Sequence, residues 1–335
     1  MKGLVLIILS IFIGILYAFE LDYQEVDSSG LSGKKVYAIL VETGVTPPAY
    51  YIESVDSAKA RQGEDLLTIG YTRINNANSK KISRHFVCIN CHNLVPETNH
   101  PESADPEIRL EYMMKNKLPF LPASTLYGVV NRTSYFNGDY VKKYGPRAEE
   151  AKNDLRKAIQ VCAEISSEGR ILETWETEAI LHYLNVIQLR IGDLSLTKEE
   201  MKILNSEDKD SKRKLLESKY LSKESATFGY PLASNVRELG KKGDPKKGKY
   251  IFKFGCMHCH NPEGITIFTL EDDQFNRNFL KNKMKKTNNR SIYEITRTGT
   301  QPKKLKKTYM PMYTYERLSD QQLEDLAAYL NSKPD

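Results

Sequence analysis

Four of the five cysteines in this 335-residue chain stand in two copies of one pattern, Cys88-Ile89-Asn90-Cys91-His92 and Cys256-Met257-His258-Cys259-His260. The fifth, Cys162, stands alone. Two thiols about a helical turn apart can add to the two vinyl groups of a haem, and the adjacent imidazole then reaches the iron. Two other chemistries share the Cys-x-x-Cys core. Zinc sites pair two such motifs ~15–20 residues apart, whereas 164 residues separate Cys91 from Cys256. A thioredoxin-like redox site needs a βαβ setting, which neither motif has. The pattern predicts two covalently bound haem c groups on Cys88, Cys91, Cys256 and Cys259, with His92 and His260 as iron ligands.

The composition is that of an ordinary folded chain, 40% hydrophobic and 27% charged, which excludes disorder, collagen and coiled coil. At ~100–200 residues per domain the length predicts two domains. Residues 4–19 form the one stretch apolar enough to meet a membrane. Lys2 before it and Ala18 near its end read as a secretory signal peptide over residues 1–18. An uncleaved membrane tether is the alternative, because Leu16 stands where a small residue would favour cleavage. Either reading places the protein in the periplasm or otherwise outside the cytoplasm, where an odd cysteine calls for a role of its own.

The elements that must position the motifs follow from periodicity and caps. Asp244-Pro245 reads as an N-cap and first helical residue, with Gly248, Ile251 and Phe252 at helical spacing before Cys256. Ser319 to Gln322 reads as a capping box ahead of an apolar stripe of Leu323, Leu326, Ala327 and Leu330. A helix leading into the first motif is predicted from about Gly63, carrying Leu66, Leu67 and Ile69, and its C-terminal counterpart from about Thr174. This order of helix, motif, loop and helix resembles the class I cytochrome c fold, twice over. The predicted fold class is mainly α, with tandem cytochrome c-like domains at 61–193 and 236–335. A helical linker at 194–235 joins them, and an extension at 19–60 precedes them, in which residues 36–41 read as a strand.

A low-spin haem needs a sixth ligand, usually Met or His. In the second domain the Met310-Pro311 pair resembles the axial-methionine loop of cytochromes c, which selects Met310 over Met312. The first domain offers Met113, Met114, His100, His182 and Cys162. Overlaying Tyr183-Leu184 on Tyr329-Leu330 aligns the two terminal helices. Met310 then lies 19 residues before Tyr329, and Cys162 lies 21 before Tyr183. The lone cysteine falls almost where the second domain keeps its ligand, and a thiolate there would lower the haem potential relative to methionine. Met113 and Met114 read as core residues, and His182 as a partly buried histidine within its helix.

The run from Ala158 through Cys162, then Ser166-Ser167-Glu168-Gly169-Arg170, Glu178 and Tyr183, resembles the block around the axial cysteine of dihaem thiosulfate dehydrogenases. The haem subunit of the Sox sulfur-oxidising system has a comparable arrangement. Gly128 to Arg132 resembles the stretch that supplies a substrate-facing arginine in those dehydrogenases. The resemblance implies an oxidoreductase that joins two thiosulfates into tetrathionate, or conjugates sulfur species, at a His/Cys-ligated haem. His92 and Cys162 would be the ligands of the first haem, and His260 and Met310 those of the second. Cys162 would hold a sulfane sulfur, while Arg132 and Arg170 would grip a small inorganic sulfur oxyanion. The family often places Lys directly before the second-domain methionine, where this chain has Tyr309.

Residues 236–335 hold 20 Lys+Arg and 12 Asp+Glu, a net +8 against +6 for the whole chain, which leaves −2 for the rest. Lys241-Lys242, Lys246-Lys247, Lys285-Lys286 and the run at 303–307 surround the second motif. Such a rim would steer an acidic redox partner onto the second domain. Nucleic acid is excluded by compartment and by the absence of interleaved aromatics. Two other readings stand beside sulfur oxidation. One is a non-catalytic electron-transfer cytochrome. The other is a dihaem peroxidase, suggested by Ser134-Tyr135-Phe136-Asn137-Gly138 but opposed by Cys162, which fills the position a peroxidase keeps open.

Overall fold

Val36–Glu42 form α1, a helix where the apolar run had read as a strand. Val36, Tyr37, Ile39 and Leu40 are buried, which is the spacing of one helical face and not the alternation of a strand. They pack on Leu204, Leu216 and Tyr220, so tertiary burial overrides local preference. The computed structural model describes residues 30–266, 268–271, 275–285, 291–300 and 309–333. The expected signal peptide at 1–18, Lys286 and the basic run at 303–307 lie outside the described residues.

The Asp56 carboxylate caps α2 (Ser57–Thr68) by accepting from the Ala58 and Lys59 N–H groups. This helix does not run into the first motif as expected. Gly70, at φ +79°, halts it. A hairpin of β1 (Arg73–Ile74) and β2 (Ala77–Asn78) follows, turned by Asn75 and Asn76 at φ 48° and 64°. The motif comes later, in a single 3-10 turn at Cys88–Asn90. After it come α3 (Pro106–Asn116), α4 (Tyr140–Tyr144), α5 (Pro146–Ala151) and α6 (Leu155–Val161). A π turn, Cys162–Ser166, continues α6, and α7 (Thr174–Val186) completes the first half.

The predicted linker contains α8 (Lys198–Leu204) and α9 (Lys209–Ser218), which bury Leu204 and Leu216 against α1. The second motif is part of a continuous helical run. It begins in α10 (Pro245–Ile251), capped by Asp244, passes a π turn at Phe252–Cys256 and ends in α11 (Met257–His260). Then come α12 (Arg277–Met284), α13 (Ile292–Thr298) and α14 (Asp320–Asn331), the last opened by the Ser319–Gln322 capping box.

Two helix crossings repeat. A Cβ on Gly63 would stand 2.0 Å from the Ala179 carbonyl oxygen, and one on Gly248 would stand 1.9 Å from that of Asp325. Ala179 and Asp325 are 146 residues apart, as are Tyr183 and Tyr329. The register read from the two tyrosines is therefore the register of the two crossings. Leu66, Leu67, Ile180, Leu181 and Leu184 form the core around the first crossing, and Ile251, Phe252, Leu323, Leu326 and Leu330 that around the second.

The division at 61–193 is not respected by packing. Leu110 and Met113 of α3, with Phe120, belong to the second core. The Tyr250 hydroxyl donates to the Met113 carbonyl at 2.7 Å, and the Phe120 N–H donates to Phe254 O at 2.9 Å. The buried Glu97 carboxylate accepts from Arg109 at 3.1 Å and also from Arg317, which leads into α14. Three fully desolvated charges thus lock the loop after the first motif to the second half.

Candidate haem sites

Each motif histidine is oriented by a backbone carbonyl. His92 Nδ1 lies 2.6 Å from Ser124 O, and His260 Nδ1 lies 2.6 Å from Phe268 O. A carbonyl can only accept, so Nδ1 carries the proton in both rings and Nε2 keeps its lone pair for a metal. Burial pushes both imidazoles below the usual histidine range, which keeps them neutral as ligation requires. This is the chemistry a c-type haem needs beside its attachment cysteines, and it occurs twice.

None of the five cysteines is in a disulfide. Burial pushes the thiols of Cys88 and Cys91 upward, Cys256 to about 12 and Cys259 to about 11. Among the described residues no three His, Cys, Asp or Glu side chains converge to hold a bare metal ion. The donor set fits thioether attachment better than a zinc cage.

Cys162 stands beside the first motif, close enough for its charge to be felt at both Cys88 and Cys91. A bridge between residues on either side of the site makes this approach. Ser83 pairs with Gly169, the Arg170 N–H donates to Ile82 O at 3.1 Å, and Ser83 Oγ donates to Ser167 O at 2.5 Å. Any side chain at position 169 would stand 2.3 Å from Ile82 O and 2.7 Å from Ala163 O. Burial raises the Cys162 thiol, and hydrogen bonds from the Ser166 and Ser167 side chains oppose that. The charge of Cys162 also reaches the buried Tyr140 and Tyr144 phenols, and Ser166 Oγ donates to the Tyr144 hydroxyl at 3.3 Å.

Met310 has its backbone held at both ends by Thr300. Its N–H donates to Thr300 Oγ1 at 2.7 Å, and its carbonyl accepts from the Thr300 N–H at 2.9 Å. Gly299, at φ +59°, lets this loop close, since a Cβ there would stand 2.5 Å from Met310 O. Both Met310 and Met312 are half-buried.

The structure departs from expectation at both arginines. Arg132 donates to Glu224 at 2.7 Å, to Ser124 Oγ at 3.1 Å and to Thr125 O at 3.3 Å. It holds the loop whose Ser124 carbonyl orients His92. Arg170 forks onto the Glu176 carboxylate at 2.7 and 2.5 Å and donates its remaining N–H groups to the carbonyls of Lys80, Lys81 and Ile171. A carboxylate already fills the fork meant for an oxyanion, so Arg170 fastens the approach to the first motif onto α7. The other candidates have other tasks. His182 Nδ1 accepts from the Asp56 N–H at 3.0 Å, His100 pairs with exposed Glu102, and Met113 is fully buried.

Sequence reasoning missed the two orienting carbonyls and the contact between the motifs. The His258 ring lies against the Ile89 carbonyl, and the charge of Cys259 reaches Cys91. Backbone acceptors leave no mark in residue type. Only Ser166, four residues beyond Cys162, carried a spacing signal that could have marked it.

Residues 245–333 match the family model for cytochrome c. The match opens at the first residue of α10 and closes just past α14. This part of the chain is a c-type cytochrome domain, and such a domain carries covalently bound haem c. No curated protein and no solved structure matches the chain.

Proposed function

We propose that the chain is a dihaem c-type cytochrome of two tandem cytochrome c-like units. Haem 1 is attached at Cys88 and Cys91 and ligated by His92 and Cys162. Haem 2 is attached at Cys256 and Cys259 and ligated by His260 and Met310. The single observation that carries this reading is the pair of motif histidines, each with Nδ1 committed to a carbonyl and Nε2 left for iron. Electron transfer between the sites is supported by the contact of His258 with Ile89. We further propose an extracytoplasmic location and an acidic redox partner docking on the second domain, where Lys241, Lys246 and Lys253 remain on the surface of a basic segment.

The substrate we propose is a small inorganic sulfur oxyanion of the thiosulfate class, oxidised beside Cys162. Bound haem supplies one one-electron couple at each site, so two sites accept the two electrons released when two thiosulfates join through one S–S bond. Cys162 offers a sulfur that can leave or approach the metal. Ser166 and Ser167 orient it, and Tyr140 and Tyr144 exclude bulk water. Arg132 and Arg170 act as positioning residues.

Non-catalytic electron transfer is favoured by one observation: both arginines are already paired with carboxylates, Arg132 with Glu224 and Arg170 with Glu176. An anaerobic optical titration with thiosulfate decides between the two. Rapid reduction of the haem α-bands, lost in Cys162→Ala, supports sulfur oxidation. Reduction by a generic donor but none by thiosulfate leaves an electron carrier.

A further inference from the structure

Tyr309 belongs by sequence to the ligand loop of the second site, yet its side chain lies in the first. Its hydroxyl donates to Ser166 O at 2.5 Å, and its ring meets Phe86 edge-on with centroids 5.4 Å apart. Phe86 stands two residues before Cys88, and Ser166 closes the π turn that opens with Cys162. The charges of Cys91 and Cys162 both reach the phenol. The helical run ends at Ser166, which leaves its last carbonyls without intrahelical donors and open to outside ones. The Ser166 carbonyl takes a donor from the other half of the chain.

The next residue, Met310, is the proposed ligand of the second haem. It precedes Pro311, which restricts its backbone to extended conformations. With both its N–H and its carbonyl tied to Thr300, it has little freedom to absorb a shift at Tyr309. Tyr313, three residues on, also lies between the motifs, near Cys91, Cys256 and Cys259, with its hydroxyl 3.5 Å from Phe120 O. The loop is thus pinned at both ends against the first half.

The geometry points to Tyr309 as a positioning residue that couples the two haem sites, tying the Cys162 turn to the Met310 loop. This rests on the ligand assignment above. If Cys162 moves relative to the metal, the π turn moves with it, the Ser166 carbonyl shifts, and the adjoining Met310 loop is displaced. Communication of this kind needs two discrete arrangements that both sites bias. The π register seen at Cys162–Ser166 and an α-helical register of the same turn would be such a pair.

The test compares wild type, Tyr309→Phe and Tyr315→Phe as full chains with complete haem content. The first variant keeps the ring on Phe86 and removes only the hydroxyl. The second deletes a phenol whose contact is to Tyr230 O, away from the first site. Electron paramagnetic resonance reads the thiolate-ligated haem, and spectroelectrochemistry reads both midpoint potentials. Tyr309→Phe is expected to split the thiolate signal into two populations and to shift the haem 2 midpoint, while Tyr315→Phe does neither. An unsplit signal and an unmoved haem 2 midpoint in Tyr309→Phe overturn the coupling. A wild type with one haem, or without a thiolate signal, overturns the ligand assignment and the coupling with it.

Discussion

The two Cys-x-x-Cys-His motifs share one local chemistry and are delivered by different architectures. The second ends a continuous helical run from Pro245 to His260, so its cysteines inherit their placement from the α10–α14 crossing. The first is separated from its helix by a hairpin, and its placement comes from strand-like pairing of residues 82–83 with 169–170. Each half also contains a π turn. In the second it ends on the motif's first cysteine, Cys256. In the first it opens with Cys162, which stands beside the motif. A π turn thus stands at the motif in one half and at the lone cysteine beside the motif in the other. The orientation of the motif histidine by a backbone carbonyl is alike in the two halves, while the supporting chain differs.

That comparison breaks first at the haem itself. Replacing Cys256 and Cys259 by Ala is expected to halve the haem content by pyridine haemochrome, as is replacing Cys88 and Cys91. Retention of full haem content in either variant would refute attachment at that motif. Next in size is Cys162→Met, which makes the first site resemble the second. The thiolate signal should vanish and the lower midpoint should rise toward the other. Two separate midpoints that do not converge would mean that the loop, not the ligand, sets the difference.

The crossings give a smaller and more even effect. Gly63→Ala and Gly248→Ala each drive a methyl to about 2 Å from a facing carbonyl, measured as 2.0 and 1.9 Å. Each should cost ~1–3 kcal/mol in denaturant unfolding. A neutral result at one position would show that its crossing can open without loss.

The mildest prediction concerns acid. Burial alone would raise the Glu97 carboxyl, but Arg109 and then Arg317 more than offset it and hold it at about 2, below its ordinary 4.5. A folded-state value below the unfolded one gives stability that is full above pH 4.5. It is lost as the pH falls toward 2. Glu97→Gln should flatten that limb of the stability profile, and an unchanged limb would exclude Glu97 as its source.

Residue identity alone was enough for several features. The Asp244 and Ser319 caps, the α7 start near Thr174 and the Tyr183/Tyr329 register were all legible, because spacing, caps and helical periodicity are local. The strand read at 36–41 was not. A run of apolar residues specifies burial, and only its partners, Leu204 and Leu216, decide that a helix supplies it. Arg132 and Arg170 were legible as bidentate cations, but not as cations already claimed by Glu224 and Glu176, since a charge does not announce its partner.

Tertiary structure alone settled three further matters. It turned Ser124 and Phe268 carbonyls toward the two imidazoles, merged α3 into the second core through Met113 and Phe120, and set Tyr309 against Ser166. Backbone carbonyls are the same at every residue, and contacts across more than a hundred residues follow from the packing of whole helices. The sequence therefore determined which groups could bind haem, and the fold decided which of them face one another.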